Sequence, residues 1–183
     1  SDFTIELWLN MSSSQAAGRV INAWNSATVA AAQWEIVCTN GNAIQFNCGT
    51  NGTAAVVSLN ATGLMIGTWY HVVASRTGNT FALFVNGILK ATATQAITLQ
   101  SADTLTIGAR RNGASYIEFF NGYVTNVRIV SGRSLYRTAV AANELAFTPP
   151  ASALTAVDNT VLLACQNYTN IDNSTTAATI TNV

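Results

Sequence analysis

Two Asn-Gly pairs constrain this chain more than any other feature. Asn40-Gly41 sits between Trp34–Cys38 and Ile44–Cys48, and Asn86-Gly87 sits between Phe81–Val85 and Ile88–Thr94. A type I′ turn needs positive φ at both central residues, which Asn and Gly adopt at least cost. Each pair is flanked by short apolar and β-branched runs, so each predicts a β-hairpin. Strict alternation recurs in Phe3, Ile5, Leu7 and Leu9 against Thr4, Glu6, Trp8 and Asn10. Ala54–Asn60, Trp69–Arg76, Leu105–Gly108 and Gly122–Val130 read as further strands. Turn signals at intervals of about ten residues predict an all-β sandwich or barrel.

One segment departs from this period. Gly132–Asn143 has weak helical character and predicts one short surface helix. Pro149-Pro150 then stops regular structure. Beyond it, Val161–Cys165 and Ala178–Thr181 are expected strands in a polar stretch. The Pro pair marks the one composition shift. It divides a β-sandwich core over residues 1–148 from residues 149–183, a closing segment or the start of a following repeat.

Charge excludes several function classes. Eight Lys+Arg balance eight Asp+Glu in 183 residues, and only 9% of residues are charged. A nucleic-acid binder needs clustered cations, so no nucleic-acid partner is expected. Apolar residues make up 49% of the chain, which argues against disorder. A membrane span needs roughly 20 apolar residues in a row, and runs such as Phe81–Val85 stop at five. The strand pattern opening directly at Phe3 predicts no secretory leader and suggests a piece of a longer polypeptide. A quiet surface of Thr, Asn, Ser and Ala suits a protein that lives against copies of itself or other subunits.

Several blocks in order resemble the laminin-G-like, concanavalin A-like jelly roll. They are Phe3–Trp8 (FTIELW), Gly67–Val73 (GTWYHVV), Leu83–Gly87 (LFVNG), Leu105–Gly108 (LTIG) and Phe120–Val124 (FNGYV). The resemblance implies a two-sheet antiparallel jelly-roll sandwich, with the strands that precede the first block in the family absent. Val127–Gly132, Leu135-Tyr136, Phe147–Pro150, Leu154–Val157 and Val161–Ser174 are similar to a subset found in structural proteins of tailed phages, especially cyanophages. That subset implies a tail fibre, capsid fibre or decoration protein, assembled in the host cytoplasm and displayed on the virion surface. Its partners would be copies of itself, other virion subunits and host-surface glycans.

Each candidate site has a plain structural alternative. Trp24, Trp34, Tyr116 and Tyr168 fall near loops and could stack on sugar rings or simply pack. Trp8 and Trp69 lie in the resembling strands and are expected in the core, so Trp69→Ala should unfold the domain at a cost of about 3–5 kcal/mol. Arg110, Arg111, Arg128, Arg133 and Arg137 against Glu118 give a local balance of +4, and the rest of the chain is −4. Arg110, Arg111, Arg133 and Arg137 could therefore face a partner, or their stems could cover apolar surface. Calcium is common in the resembling family, and Asp103, Asn112 and Asn121 are its candidate ligands here. Thr125 and Asn126 replace the acidic pair that many members carry, so no cofactor is expected.

His71 lies at period two with Trp69 and Ser75 and reads as a core residue, with no nucleophile motif beside it. None of the four Glu (Glu6, Glu35, Glu118, Glu144) has another acid within two positions, so a glycosidase pair has no local signature. With a two-residue turn, Cys38 would face Ala43 and Cys48 would face Gln33, on the order of 16 Å apart along the ladder. A disulfide between them is therefore not expected, and three cysteines suit reduced thiols. A non-enzymatic virion module, a bacterial cell-surface adhesion or carbohydrate-binding module, and a glycan-cleaving enzyme all remain compatible with such a fold.

Overall fold

The computed structural model describes residues 1–24, 34–49, 55–99, 104–136, 139–169 and 171–181. Thirteen strands and no helix occur among the described residues. They form a six-stranded sheet, a five-stranded sheet and a two-stranded ribbon, which agrees with the expected all-β, two-sheet antiparallel class. The chain divides into two compact units.

The first unit comprises Ser1–Leu9, Trp69–Thr92 and Val124–Val183. It carries the six-stranded sheet, ordered β13-β12-β1-β6-β7-β8. Here β1 is Phe3–Met11, β6 Trp69–Thr77, β7 Thr80–Val85, β8 Ile88–Thr94, β12 Gly122–Ser131 and β13 Thr160–Ala164. The β7–β8 turn is the expected one, with Asn86 and Gly87 at φ 52° and 76°. Gly87 is required twice over, because a Cβ there would also lie 1.9 Å from the Phe147 carbonyl oxygen. β13 pairs antiparallel with β12, so residues 160–164 are an edge strand of this sheet.

The expected helix over 132–143 is not seen among the described residues. Its backbone donors are drawn away to the sheet. Leu135 N–H donates to Thr4 Oγ1 at 2.9 Å, and Asn143 N–H donates to the Leu89 carbonyl at 2.7 Å. Ala146 N–H donates to the Gly87 carbonyl at 2.8 Å. Residues 133–136 and 139–147 thus form a strap. Tyr136, Val140, Ala146 and Phe147 pack on Val73, Ala82, Phe84 and Leu89.

The strand expected over Ala178–Thr181 is not formed either. Asp172 holds this segment instead, accepting the N–H groups of Leu163, Ser174 and Ala178 at 2.8–2.9 Å. Trp69 also departs from expectation, being 43% exposed as the first residue of β6. The buried place in its row falls to His71, which the strap covers.

The second unit comprises Asn10–Thr68 and Ala93–Tyr123. Its five-stranded sheet runs β5-β4-β3-β2-β9. The strands are β2 Ala17–Asn22, β3 Trp34–Thr39, β4 Ala43–Cys48, β5 Val57–Ala61 and β9 Thr106–Ile107. The ribbon joins β10 (Arg110–Asn112) to β11 (Ser115–Ile117). The β3–β4 loop has three residues, not two, since Thr39 pairs with Ala43. Gly41 and Asn42 take the positive φ values there, 77° and 53°. The ladder therefore shifts by one, and Cys48 faces Trp34 while Cys38 faces Ile44. Cys38, Cys48 and Cys165 are thiols, none of them in a disulfide.

Register sorts this sheet into two faces. Ile36, Phe46 and Leu59 form one cross-strand row, and Trp34, Cys48 and Val57 form another, all buried. Burying a side chain such as Phe46 contributes about 2–3 kcal/mol. On the opposite face lie the rows Glu35, Asn47, Ser58 and Val37, Gln45, Asn60. Ser58 and Asn60 are exposed, as strict alternation in β5 requires.

Candidate functional site

The polar face of the second unit carries a hydrogen-bonded row that crosses the sheet. Arg19 Nη1 on β2 donates to Glu35 Oε1 on β3 at 2.6 Å. Asn47 Nδ2 on β4 donates to the same oxygen at 3.0 Å. Ser58 Oγ on β5 donates to Asn47 Oδ1 at 2.9 Å. Glu35, Asn47 and Ser58 are direct register partners on β3, β4 and β5, whereas Arg19 pairs with Val37 and reaches Glu35 diagonally from beside the bulge in β2. Glu35 Oε2 is buried and has no hydrogen-bond partner among the described residues.

The row continues past β2. Arg19 Nε donates to Glu118 Oε2 at 2.8 Å, and Arg110 Nε lies 2.9 Å from the same oxygen. Two arginines and two glutamates thus neutralise one another. Glu118 adopts φ 54°, a left-handed conformation that costs roughly 1–2 kcal/mol for a residue with a Cβ. Neighbouring hydrogen bonds enforce it: Arg19 N–H donates to the Glu118 carbonyl at 3.0 Å, and Phe120 N–H donates to the Gly108 carbonyl at 2.8 Å. Phe119, between them, pairs with Arg19 in an isolated parallel bridge and is 66% exposed.

The first unit holds a second Arg–Glu network of a different kind. Glu6 Oε1 accepts from Arg128 Nε at 2.8 Å and lies 2.6 Å from Nη2. Glu6 Oε2 accepts from Tyr136 Oη at 2.7 Å and from His71 Nε2 at 3.1 Å. A carboxylate can only accept, so His71 donates from Nε2. Glu6 and His71 are both 0% exposed. Burial by itself would push the Glu6 carboxyl up, but the His71 bond, the Arg128 charge and the Tyr136 hydroxyl outweigh it and hold the group below its usual range. Burial, reinforced by Glu6, raises the Tyr136 phenol. With its carboxylate closed to solvent, this network fastens the strap to the sheet through Tyr136.

The sequence-based candidates fall in different places. Trp24 and Trp34 are 8% and 9% exposed, so they pack and present no ring face. Tyr116 is half-buried in β11, opposite Arg111. Tyr168 is fully exposed beyond β13. The ribbon brings Arg110 and Arg111 together, but Arg110 is paired with Glu118. Arg111 is turned inward, donating to the Gly113 carbonyl at 2.9 Å and to Thr104 Oγ1 at 2.7 Å. Arg133 belongs to the first unit and lines an open cleft of about 690 Å³ with Asp158 and Thr175. Arg137 and Asp103 lie outside the described residues.

Among the described residues, the candidate calcium donors are turned to other partners or lie apart. Asn112 sits at the tip of the ribbon, facing Ser115. Asn121 is clasped within the fold: its N–H donates to Gln15 Oε1 at 2.6 Å, and its Nδ2 to Ser13 Oγ at 2.9 Å. Thr125 Oγ1 donates to the Cys165 carbonyl at 2.7 Å, and Asn126 Oδ1 accepts Leu154 N–H at 3.0 Å. Among the described residues, no three His, Cys, Asp or Glu converge as a metal site. Arg19, Asn47, Ser58 and Phe119 went unnoticed in the sequence, and Glu118 was read only as a lone acid, not as a partner of Arg19. Cross-strand spacing, not a local motif, joins them, although the alternation of Glu35, Asn47 and Ser58 was available once the register was known.

Two antiparallel sheets, one of them with an apolar and a polar face, define a protein of the lectin-like all-β class. The chain belongs to the concanavalin A-like lectin/glucanases superfamily, whose laminin G type matches residues 1–141. Solved structures share the fold at low identity. A candidate carbohydrate binding protein from Bacteroides ovatus is similar at 17% identity and TM-score 0.57, over 72% of this chain and 37% of that one. The Ruminococcus gnavus IT-sialidase CBM40 bound to α2,6-sialyllactose is similar at 17% identity and TM-score 0.56, over 66% and 71%. The botulinum neurotoxin type C whose cell entry depends on two ganglioside molecules is similar at 15% identity and TM-score 0.53, over 70% and 32%. The chain thus spans well under half the length of the first and third of these. No curated protein matches it.

Proposed function

We propose that this chain is a non-catalytic carbohydrate-binding module that holds glycans on the polar face of its five-stranded sheet. The observation that carries this reading is the Arg19–Glu35–Asn47–Ser58 row, a ready-made lattice of donors and acceptors on a rigid scaffold. Sugar hydroxyls need such alternating partners, and strands fix them without entropic cost on binding. Kinship with lectins and likeness to structures described with sialyllactose and gangliosides support it. Against catalysis, Glu35 and Glu118 are both held by Arg19, whereas a glycosidase needs two carboxyls facing the scissile bond.

The module's setting, in this proposal, is the surface of a tailed-phage virion, as part of a tail fibre, capsid fibre or decoration protein. It is assembled in the host cytoplasm, packed against copies of itself and other subunits, and presents the sheet face to host-surface glycans. The phage-like blocks over 127–174 and the sparsely charged surface support this setting.

A printed glycan panel tests the binding. Retention of a defined glycan set, abolished by the Asn47→Ala/Ser58→Ala pair at unchanged melting temperature, is the expected result. Release of cleaved sugar, or no retention at all, would contradict it. Labelling of purified particles by an antibody against the chain tests the setting. Signal on bacterial envelopes alone would point instead to a cell-surface adhesion module.

A further inference from the structure

We infer that Phe119 is the stacking platform for a pyranose ring, and that the ring belongs to an uncharged glycan. This deepens the carbohydrate reading and rests on it. Phe119 follows a residue in the left-handed region, Glu118 at φ 54°, whose conformation favours Gly or Asn over Glu. Backbone bonds from Arg19 and to Gly108 pin the chain on both sides of Phe119. The side chain of Glu118 is drawn in by Arg19 and Arg110. A strained backbone, fixed from several directions, thus holds a large apolar ring 66% exposed, next to Arg19 at the end of the polar row. Such strain persists where surroundings over-determine it, and it collects at binding sites. A rigid exposed aromatic beside aligned hydrogen-bonding groups matches a sugar, which has an apolar face and a polar rim.

The charge of the ligand follows from the neighbours. Arg19 and Arg110 are offset by Glu35 and Glu118. The groups left to meet a ligand across β4 and β5 are the neutral Gln45, Asn47, Ser58 and Asn60. An anionic sugar would find no uncompensated cation in this row, whereas hydroxyl and acetamido groups find partners. Glu118 acts as a positioning residue, aiming Phe119 through the backbone.

Isothermal titration of the whole chain with cellotetraose, maltotetraose, lacto-N-tetraose and sialyllactose tests this. A neutral oligosaccharide should bind, with affinity unchanged between low salt and about 0.5 M NaCl. Phe119→Ala should weaken it about tenfold or more, while Phe119→Tyr stays near wild type. Glu118→Gln should weaken it less, at an unchanged melting temperature. Wild-type affinity in Phe119→Ala would overturn the platform. Binding of sialyllactose alone, lost in salt, would overturn the uncharged class but leave carbohydrate binding standing. Silence from all four sugars, with a flat glycan panel, would remove the carbohydrate reading and this inference together.

Discussion

Arg128 in the first unit brings two guanidinium nitrogens to one oxygen of Glu6, whose other oxygen takes in His71 and Tyr136, with the carboxylate sealed from water. Arg19, Arg110, Glu35 and Glu118 in the second unit use the same chemistry; Arg19 and Glu35 are nearly as covered as Arg128, but Arg110 and Glu118 keep 18% and 28% of their side chains accessible and the row runs out to exposed Ser58. A sealed network is committed to its own members. An open one holds its members in place while leaving lone pairs and N–H groups at its edge for a ligand. The contrast shows how a chain with so few charges divides them between fastening its fold and shaping a face.

The largest expected effect breaks the sealed network. Arg128→Met leaves the Glu6 charge buried without its main counter-ion and should cost about 3–5 kcal/mol in denaturant unfolding. The corresponding Arg110→Met should cost about 1 kcal/mol or less, because Glu118 keeps Arg19 and partial hydration. Equal costs would erase the distinction between the networks. Tyr136→Phe removes one bond to a charged acceptor and should cost about 1.5–3 kcal/mol, with faster proteolysis of the strap.

Acid titration sharpens the same contrast. The Glu6 carboxyl is lowered from its ordinary value of 4.5, so its contribution to stability is complete above that pH and is lost as pH falls through the folded-state value. Melting temperature should therefore drop on acidification below 4.5, and Glu6→Gln should flatten that drop. An unchanged slope in Glu6→Gln would mean the network contributes no pH-dependent stability. The smallest effect belongs to Trp69→Ala, since the indole is 43% exposed, and a loss of about 1 kcal/mol or less is expected from thermal melts. A collapse of folding would restore Trp69 to the core.

The hairpins, the all-β class and the buried His71 were legible because they depend on local signals: Asn-Gly turn chemistry and period-two alternation. Three features escaped for physical reasons. The segment after Gly132 carries helix-compatible residues, but Tyr136 and the Asn143 and Ala146 amides find stronger partners on the sheet, so tertiary contacts override propensity. The Asn40-Gly41 hairpin was right in place but one residue off in register, because Asn42 also tolerates positive φ. β2 was missed because its alternation is broken by a bulge between Arg19 and Ile21, the point where Arg19 turns to both glutamates. The candidate site therefore stayed hidden. Its hydrogen-bonded pairs lie 11 to 99 positions apart in sequence, from Asn47–Ser58 to Arg19–Glu118, and only strand pairing brings such residues side by side.

The burial of Cys38 adds a check on the second unit by itself. Desolvation pushes its thiol up to about 12, so alkylation at neutral pH should proceed only through unfolding. Rapid labelling of the native protein would place that sheet's apolar row in water.

Amide-resolved NMR titration of the isotopically labelled chain with a neutral oligosaccharide bears most directly on the claim that the open polar face is the ligand surface. Shifts should concentrate on Arg19, Gln45, Asn47, Ser58, Asn60 and Phe119, while Glu6, His71 and Arg128 stay still. Perturbations centred on the Arg133 cleft or on Tyr168, with the polar row silent, would contradict it.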